Sequence, residues 1–341
     1  MPTPSTPSAQ ITEFGRAPDG SVVQAVSLAN DELSLRLITW GASIQDVRLD
    51  GVDHPLVLGS ESFEPYLGSM RYFGAIVGRV ANRIAGASTT LEGQTLTLDA
   101  NEGGVTTLHG GAQGAGCVNW ALAGHDAHSA RFTLLMADGH MGFPGNLEVV
   151  AEYRLQGSTI EVEITATTDA TTLCGFAQHS YWNLDGQPDL SAHKLQINAE
   201  NYLPVDHAMI PLGAPVPVAG TGFDFRDLHP VMGRAQIDHN FCLREADTPV
   251  HEACRLWVDG LEMTVETNDP GLQIYDAAGH DTAPDLGLSG AAYGAFSGLA
   301  IEPQRWPDAP NQPDYPSVVL REGETYRQFS RFSFNRSPQI R

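Results

Sequence analysis

Strict two-residue alternation is what most limits how this chain can fold. Thr159-Ile160-Glu161-Val162-Glu163-Ile164-Thr165-Ala166-Thr167 places Ile160, Val162 and Ile164 on one face and polar residues on the other, the pattern of a half-buried strand. Leu147–Leu155 precedes it, and Gln156-Gly157-Ser158 between the two reads as a hairpin turn. Leu33–Ile38 and Met263–Thr267 alternate in the same way, and Glu92-Gly93-Gln94 marks a second hairpin between Ala87–Leu91 and Thr95–Leu98. No long segment repeats apolar residues at helical spacing with caps at both ends. Short helical turns are expected only around Asp227–Arg234, and Pro211–Gly222 reads as loop. With 35 glycines and 22 prolines marking turns at short intervals, the expectation is an all-β fold, a large antiparallel β-sandwich or barrel. No repeat or linker divides the 341 residues, so one domain is expected over 11–341, with residues 1–10 a flexible N-terminus.

A formal net charge of −22 argues against nucleic acid and anionic membrane surfaces as partners, and leaves neutral small molecules open. The four cysteines, Cys117, Cys174, Cys242 and Cys254, form no Cys-x-x-Cys pair. His109, His179 and His239 lack metal-ligand spacing, and no glycine-rich phosphate loop is present, so neither a metal nor another cofactor is expected. The first ten residues carry no basic start and no apolar run. A cytoplasmic protein, monomer or homodimer, is the expectation.

Chemistry-bearing residues gather in a few short runs. Glu302 follows the apolar stretch Gly298–Ile301 and opens the proline-rich run through Pro313, which is read as a stiff loop at a strand end holding a carboxylate in place. His179, in Gln178-His179-Ser180-Tyr181-Trp182-Asn183, is a possible acid to pair with that base; the bland alternative is a structural histidine holding a backbone carbonyl. The pair Tyr181-Trp182 is expected to pack around the imidazole, and Asn183 to orient a nearby loop. His109, in Leu108-His109-Gly110-Gly111, has two glycines that permit close backbone approach, and reads as a hydroxyl donor or as a turn residue. Asn82 and Arg83 follow Gly78-Arg79, and arginine suits dense hydroxyl recognition; for Arg79 the bland reading is a pair with a carboxylate. Asp238 is either a hydroxyl acceptor or a turn residue, and Gln273 either a ligand or a solvated strand residue.

Taken in order, these runs resemble the aldose 1-epimerase (galactose mutarotase) family. The resemblance rests on Tyr72–Ile84, Leu108–Gly111, Gly142–Leu147 with the strand ending Tyr153-Arg154-Leu155, His179–Leu184, Asp238–Asn240, Pro270–Gln273 and Glu302–Gln304 with Pro307–Ala309. It spans roughly residues 10 to 335. It implies the family's β-supersandwich and the interconversion of α and β anomers of a free hexose such as galactose or glucose, with no cofactor. By the same resemblance Glu302 is the catalytic base and His179 the catalytic acid, with His109 the alternative acid. Asn82, Arg83, His109, Asp238 and Gln273 hold the sugar. Thr106-Thr107 before Leu108, Trp182, and Pro303 after Glu302 depart from the family pattern and leave the sugar open. The competing readings are another aldose or a sugar phosphate as substrate, or sugar binding without turnover.

Overall fold

The computed structural model describes residues 10–243 and 249–336. Its regular structure is strand, with five short 3-10 turns and no α-helix among the described residues. Three antiparallel sheets dominate. Four strands, Gln10–Arg16, Val22–Ala29, Leu33–Ile38 and Ser43–Leu49, form a meander. The largest sheet has nine strands, and at its centre Leu147–Gln156 and Thr159–Thr168 pair as the expected hairpin, which lies against the C-terminal strand Tyr326–Asn335. A six-stranded sheet runs in the order Tyr181–Trp182, Leu299–Gln304, Gly271–Tyr275, Asp238–Cys242, Asn201–Tyr202 and Val216–Pro217.

The three sheets share one hydrophobic core. Val26 and Leu35 from the first, Ile160 and Phe332 from the second, and Leu272 and Ile301 from the third are all buried in it. The antiparallel sandwich read from the alternation is therefore the fold observed. The second hairpin is also as read: Leu91 pairs with Gln94, and Glu92 and Gly93 both take positive φ, as a two-residue primed turn requires.

Three local expectations are corrected. Asp227–Arg234 holds the two-residue strand His229–Pro230, docked on Lys194–Leu195, rather than a helical turn. Pro211–Gly222 is not all loop, because Val216–Pro217 closes the edge of the six-stranded sheet. Glu302 does not open a loop: it is the fourth residue of the strand Leu299–Gln304, which runs on through Pro303. The sheet tolerates that proline because the neighbour Tyr181–Trp182 pairs only with Leu299 and Ala300, so no ladder partner there needs an N–H from residue 303. The expected loose N-terminus lies, apart from Gln10, outside the described residues. Gln10 begins the first strand.

Pleating sorts the six-stranded sheet into two faces. Trp182, Leu272, Ile274, Leu299 and Ile301 face the core, where the Trp182 ring stacks on Phe332 at 5.0 Å. The opposite face carries Tyr181, Asp238, Gln273, Tyr275, Ala300 and Glu302. In register, Gln273 stands beside Glu302, and Tyr275 beside both Asp238 and Ala300.

Candidate active site

Glu302 sits on that second face with a side chain only 2% exposed. Its Oε2 lies 3.6 Å from His179 Nε2. Neither Oε2 nor His179 Nδ1 has a hydrogen-bond partner among the described residues. His179 ends the strand Ala177–His179, which pairs with Ala75–Val77. Burial pushes the Glu302 carboxyl well above the ordinary carboxylate range, Asp238 adds to this, and Arg83 opposes it. Burial also lowers His179 to about 4. The two groups stand within ion-pair reach, yet desolvation outweighs their attraction. Burial thus favours the uncharged form of each group, the carboxylic acid of Glu302 and the neutral imidazole of His179.

The remaining candidates complete a ring of contacts. His109 meets His179 edge-on, with ring centroids 5.2 Å apart. Asn82 donates its backbone N–H to His109 Nδ1 at 3.1 Å, and His109 returns its own N–H to the Asn82 carbonyl at 2.9 Å. Both residues take positive φ to do so. The bond to Nδ1 fixes the proton of neutral His109 on Nε2, which makes that nitrogen a donor. Arg83 Nη1 lies 3.6 Å from Asp238 Oδ2, and Gln273 donates to Asp238 Oδ1 at 2.6 Å. Gln273 stands in register with Glu302 and closes the circuit. All seven residues singled out in the sequence thus come together, from six stretches of chain. Asp238 is a strand residue rather than a turn residue, and Gln273 is buried rather than solvated.

Loop geometry explains how the His109 segment reaches this place. Gly110 has φ +81 and lies so close to Gly78 that a Cβ would collide with the Gly78 carbonyl oxygen. Arg79, next in the chain, is fully buried and, among the described residues, pairs with no carboxylate at hydrogen-bond distance. It donates instead to the carbonyls of Met136, Pro144 and Gly145 at 2.8–3.0 Å and to Thr172 Oγ1 at 3.1 Å.

Sequence reasoning passed over several neighbours. Tyr72 lies 4.8 Å from the His109 ring and stacks on His179 at 6.3 Å. Of the aromatic pair expected around His179, Tyr181 does pack on it at 5.1 Å, and also meets His280 at 4.6 Å, whereas Trp182 points into the core. His280, burial-lowered to about 4, carried no signal because its run Ala277-Ala278-Gly279 is featureless. Glu102 grips Arg83 and gave no signal either. Asn183 does orient a loop, donating to the carbonyls of Gln187 and Ser297. Among the described residues no cluster of His, Cys, Asp and Glu could hold a metal ion.

The family model for aldose 1-epimerase matches residues 24–333. Galactose mutarotase of Rattus norvegicus is 38% identical over 341 aligned residues, covering 95% of this chain and 98% of that one. Aldose 1-epimerase of Escherichia coli (strain K12) is 36% identical, with coverage of 93% and 97%. Among solved structures, an aldose epimerase homologue from C. elegans superposes with a TM-score of 0.85 at 29% identity, covering 92% of this chain and 99% of that chain. Galactose 1-epimerase from Lactobacillus acidophilus NCFM gives 0.83 at 26% identity, covering 98% and 100%. With the family model over most of its length and relatives this similar from end to end, the chain belongs to the aldose 1-epimerase family.

Proposed function

We propose that Glu302 and His179 are the base and acid of an aldose 1-epimerase that interconverts the α and β anomers of a free neutral hexose, galactose or glucose. The observation that carries this reading is the buried carboxyl 3.6 Å from a buried imidazole, each with an unpartnered polar atom. Mutarotation moves protons at O1 and O5, which are both bonded to C1, so acid and base must stand within a few ångströms of each other. In ring opening the Glu302 carboxylate takes the O1 proton, C1=O forms, the C1–O5 bond breaks, and protonated His179 gives its proton to O5. After rotation about C1–C2, O5 attacks the other face of the aldehyde. His179 recovers its proton and Glu302 returns one to O1, so nothing is consumed.

The pair holds the same number of protons as acid plus imidazole or as carboxylate plus imidazolium, so one proton count serves both half-reactions. Activity falls when the pair gains a further proton or loses the one it has, and both limits belong to the pair. Because burial lowers His179 to about 4, the acid limb of kcat/KM is expected well below the ordinary histidine value of about 6.5. The alkaline limb follows the raised Glu302 carboxyl. Polarimetry of freshly dissolved α-D-galactose and α-D-glucose from about pH 4 to about pH 9 tests both the reaction and the profile. No acceleration of either sugar at any pH overturns the reading.

His109 supports the sugar as a donor rather than as the acid, since a backbone N–H occupies its Nδ1. His179→Asn is therefore expected to lower kcat by about 10²–10⁴, and His109→Asn to act mainly on KM. The reverse ranking moves the acid role to His109. The proposal includes a cytoplasmic site of action, in keeping with four cysteines that form no disulfide.

A further inference from the structure

Glu102 lies in none of the runs that carry the family resemblance, yet it makes a two-point contact with a residue of the site. Its two carboxylate oxygens accept from Arg83 Nε and Nη2, each at 2.8 Å, as a two-point fork. The loop beneath it is tied down. Asn101 exchanges two bonds with the Leu108 backbone, Glu102 and Thr106 exchange two backbone bonds, and Gly103 and Gly104 turn the chain at positive φ. Arg83 pairs in register with Leu108, so the loop and the guanidinium are parts of one ribbon.

The consequence is electrostatic. Arg83 is the guanidinium that reaches Asp238 in the contact ring, and its single positive charge meets two carboxylates, Glu102 and Asp238. The other arginine nearby, Arg71, lies against the Tyr72 ring and donates to Cys117 Sγ and the Ala112 carbonyl. His109, His179 and His280 are held neutral by burial. Among the described residues, a sugar entering this site meets Asp238, Glu302 and a guanidinium, Arg83, already matched by two carboxylates, while Arg71, which no carboxylate holds, is tied to Cys117 and the Ala112 carbonyl rather than to the ring.

We infer that Glu102 is a specificity-determining residue: by holding Arg83 in a two-point ion pair it cancels the guanidinium charge and excludes aldoses that carry a carboxylate or phosphate. This rests on the aldose 1-epimerase reading above. An anionic sugar would have to place its charge beside carboxylates without a compensating cation, and like charges brought together without one discriminate strongly. With the Glu102 charge removed, Arg83 keeps Asp238 as its one acidic neighbour at this distance among the described residues, and can accept a second anion.

D-galactose and D-galacturonate at pH 7 differ only at C6, a hydroxymethyl against a carboxylate, and provide the test by polarimetry. The wild type is expected to favour galactose in kcat/KM by roughly tenfold or more. Glu102→Gln is expected to narrow that ratio by about tenfold, with a few-fold higher KM for galactose and a lower inhibition constant for galacturonate. Glu102→Asp keeps the charge and should keep the wild-type preference. If Glu102→Gln weakens both sugars in parallel and leaves the ratio unchanged, Glu102 is only a structural clamp and the inference falls. Equal use of both sugars by the wild type overturns it as well. Failure of the wild type on galactose and on every other aldose overturns the functional reading itself, and is seen before any variant is made.

Discussion

Glu302→Gln is expected to lower kcat for mutarotation by about 10²–10⁴ while the protein folds normally and melts higher than the wild type above neutral pH. The kinetic half follows from the loss of the buried carboxyl that lies 3.6 Å from His179 Nε2. The stability half follows from the sign of the Glu302 shift. Its folded carboxyl is raised well above the unfolded value, chiefly by burial. Below about pH 4.3 both states are protonated and there is no penalty. As pH rises from there, the unfolded chain ionises while the folded chain keeps the proton. The wild type then loses about 1.4 kcal/mol of stability per pH unit until the folded carboxyl also ionises. Glutamine is neutral at every pH and does not incur this loss. Melting curves of the two proteins should coincide near pH 4 and diverge toward pH 8, with the variant above. A difference independent of pH would show that the carboxyl is not held protonated, and near-full turnover would remove Glu302 as the base. An active site that costs stability in this way is what a buried general base entails.

Most of the fold was legible because it is written in two-residue alternation. Thr159–Thr168 and its hairpin partner could be read almost to the residue, since one buried face fixes both strand and register. Legibility ended where strands are two or three residues long. His229–Pro230 and Val216–Pro217 have no room for a period, and only their partners in the sheet make them strands. The site shows the same division. Its seven candidates were legible because each sits in a short run whose order could be recognised, and the structure brings them into one ring of contacts. Glu302 was read as a loop residue because proline normally ends a strand. The reading failed because the neighbouring strand begins only at Tyr181, opposite Ala300, and leaves the flank of Pro303 without a ladder partner. Glu102 and His280 could not be found at all: a carboxylate in a glycine loop and a histidine after Ala-Ala-Gly look like surface residues until the fold brings them against Arg83 and Tyr181.

Arg79→Met should destabilise the protein by about 3–5 kcal/mol, a large share of the roughly 5–15 kcal/mol that holds a folded domain together. The wild-type guanidinium is fully buried, and burial lowers it to about 10, still charged at neutral pH. Its stability comes from carbonyl dipoles: Nη1 bonds Pro144 and Gly145, Nη2 bonds Met136, and the Phe143 ring lies 5.7 Å from the guanidinium carbon. Methionine is long enough to fill the space but offers no donor, so three buried carbonyls lose their partner at once. Lysine keeps the charge, but a single nitrogen cannot replace two nitrogens facing separate loops, so Arg79→Lys should recover only part of the loss. The effect reaches the site through the backbone. The Arg79 carbonyl accepts from Gly175, Ala81 donates back to Gly175, and the chain then enters Asn82 and Arg83. Denaturant unfolding of the two variants measures the cost directly, and KM for galactose measures how far Asn82 and Arg83 have moved. A methionine variant as stable as the wild type would mean that water satisfies those carbonyls, and that the segment before Asn82 is held by the Gly175 backbone bonds alone.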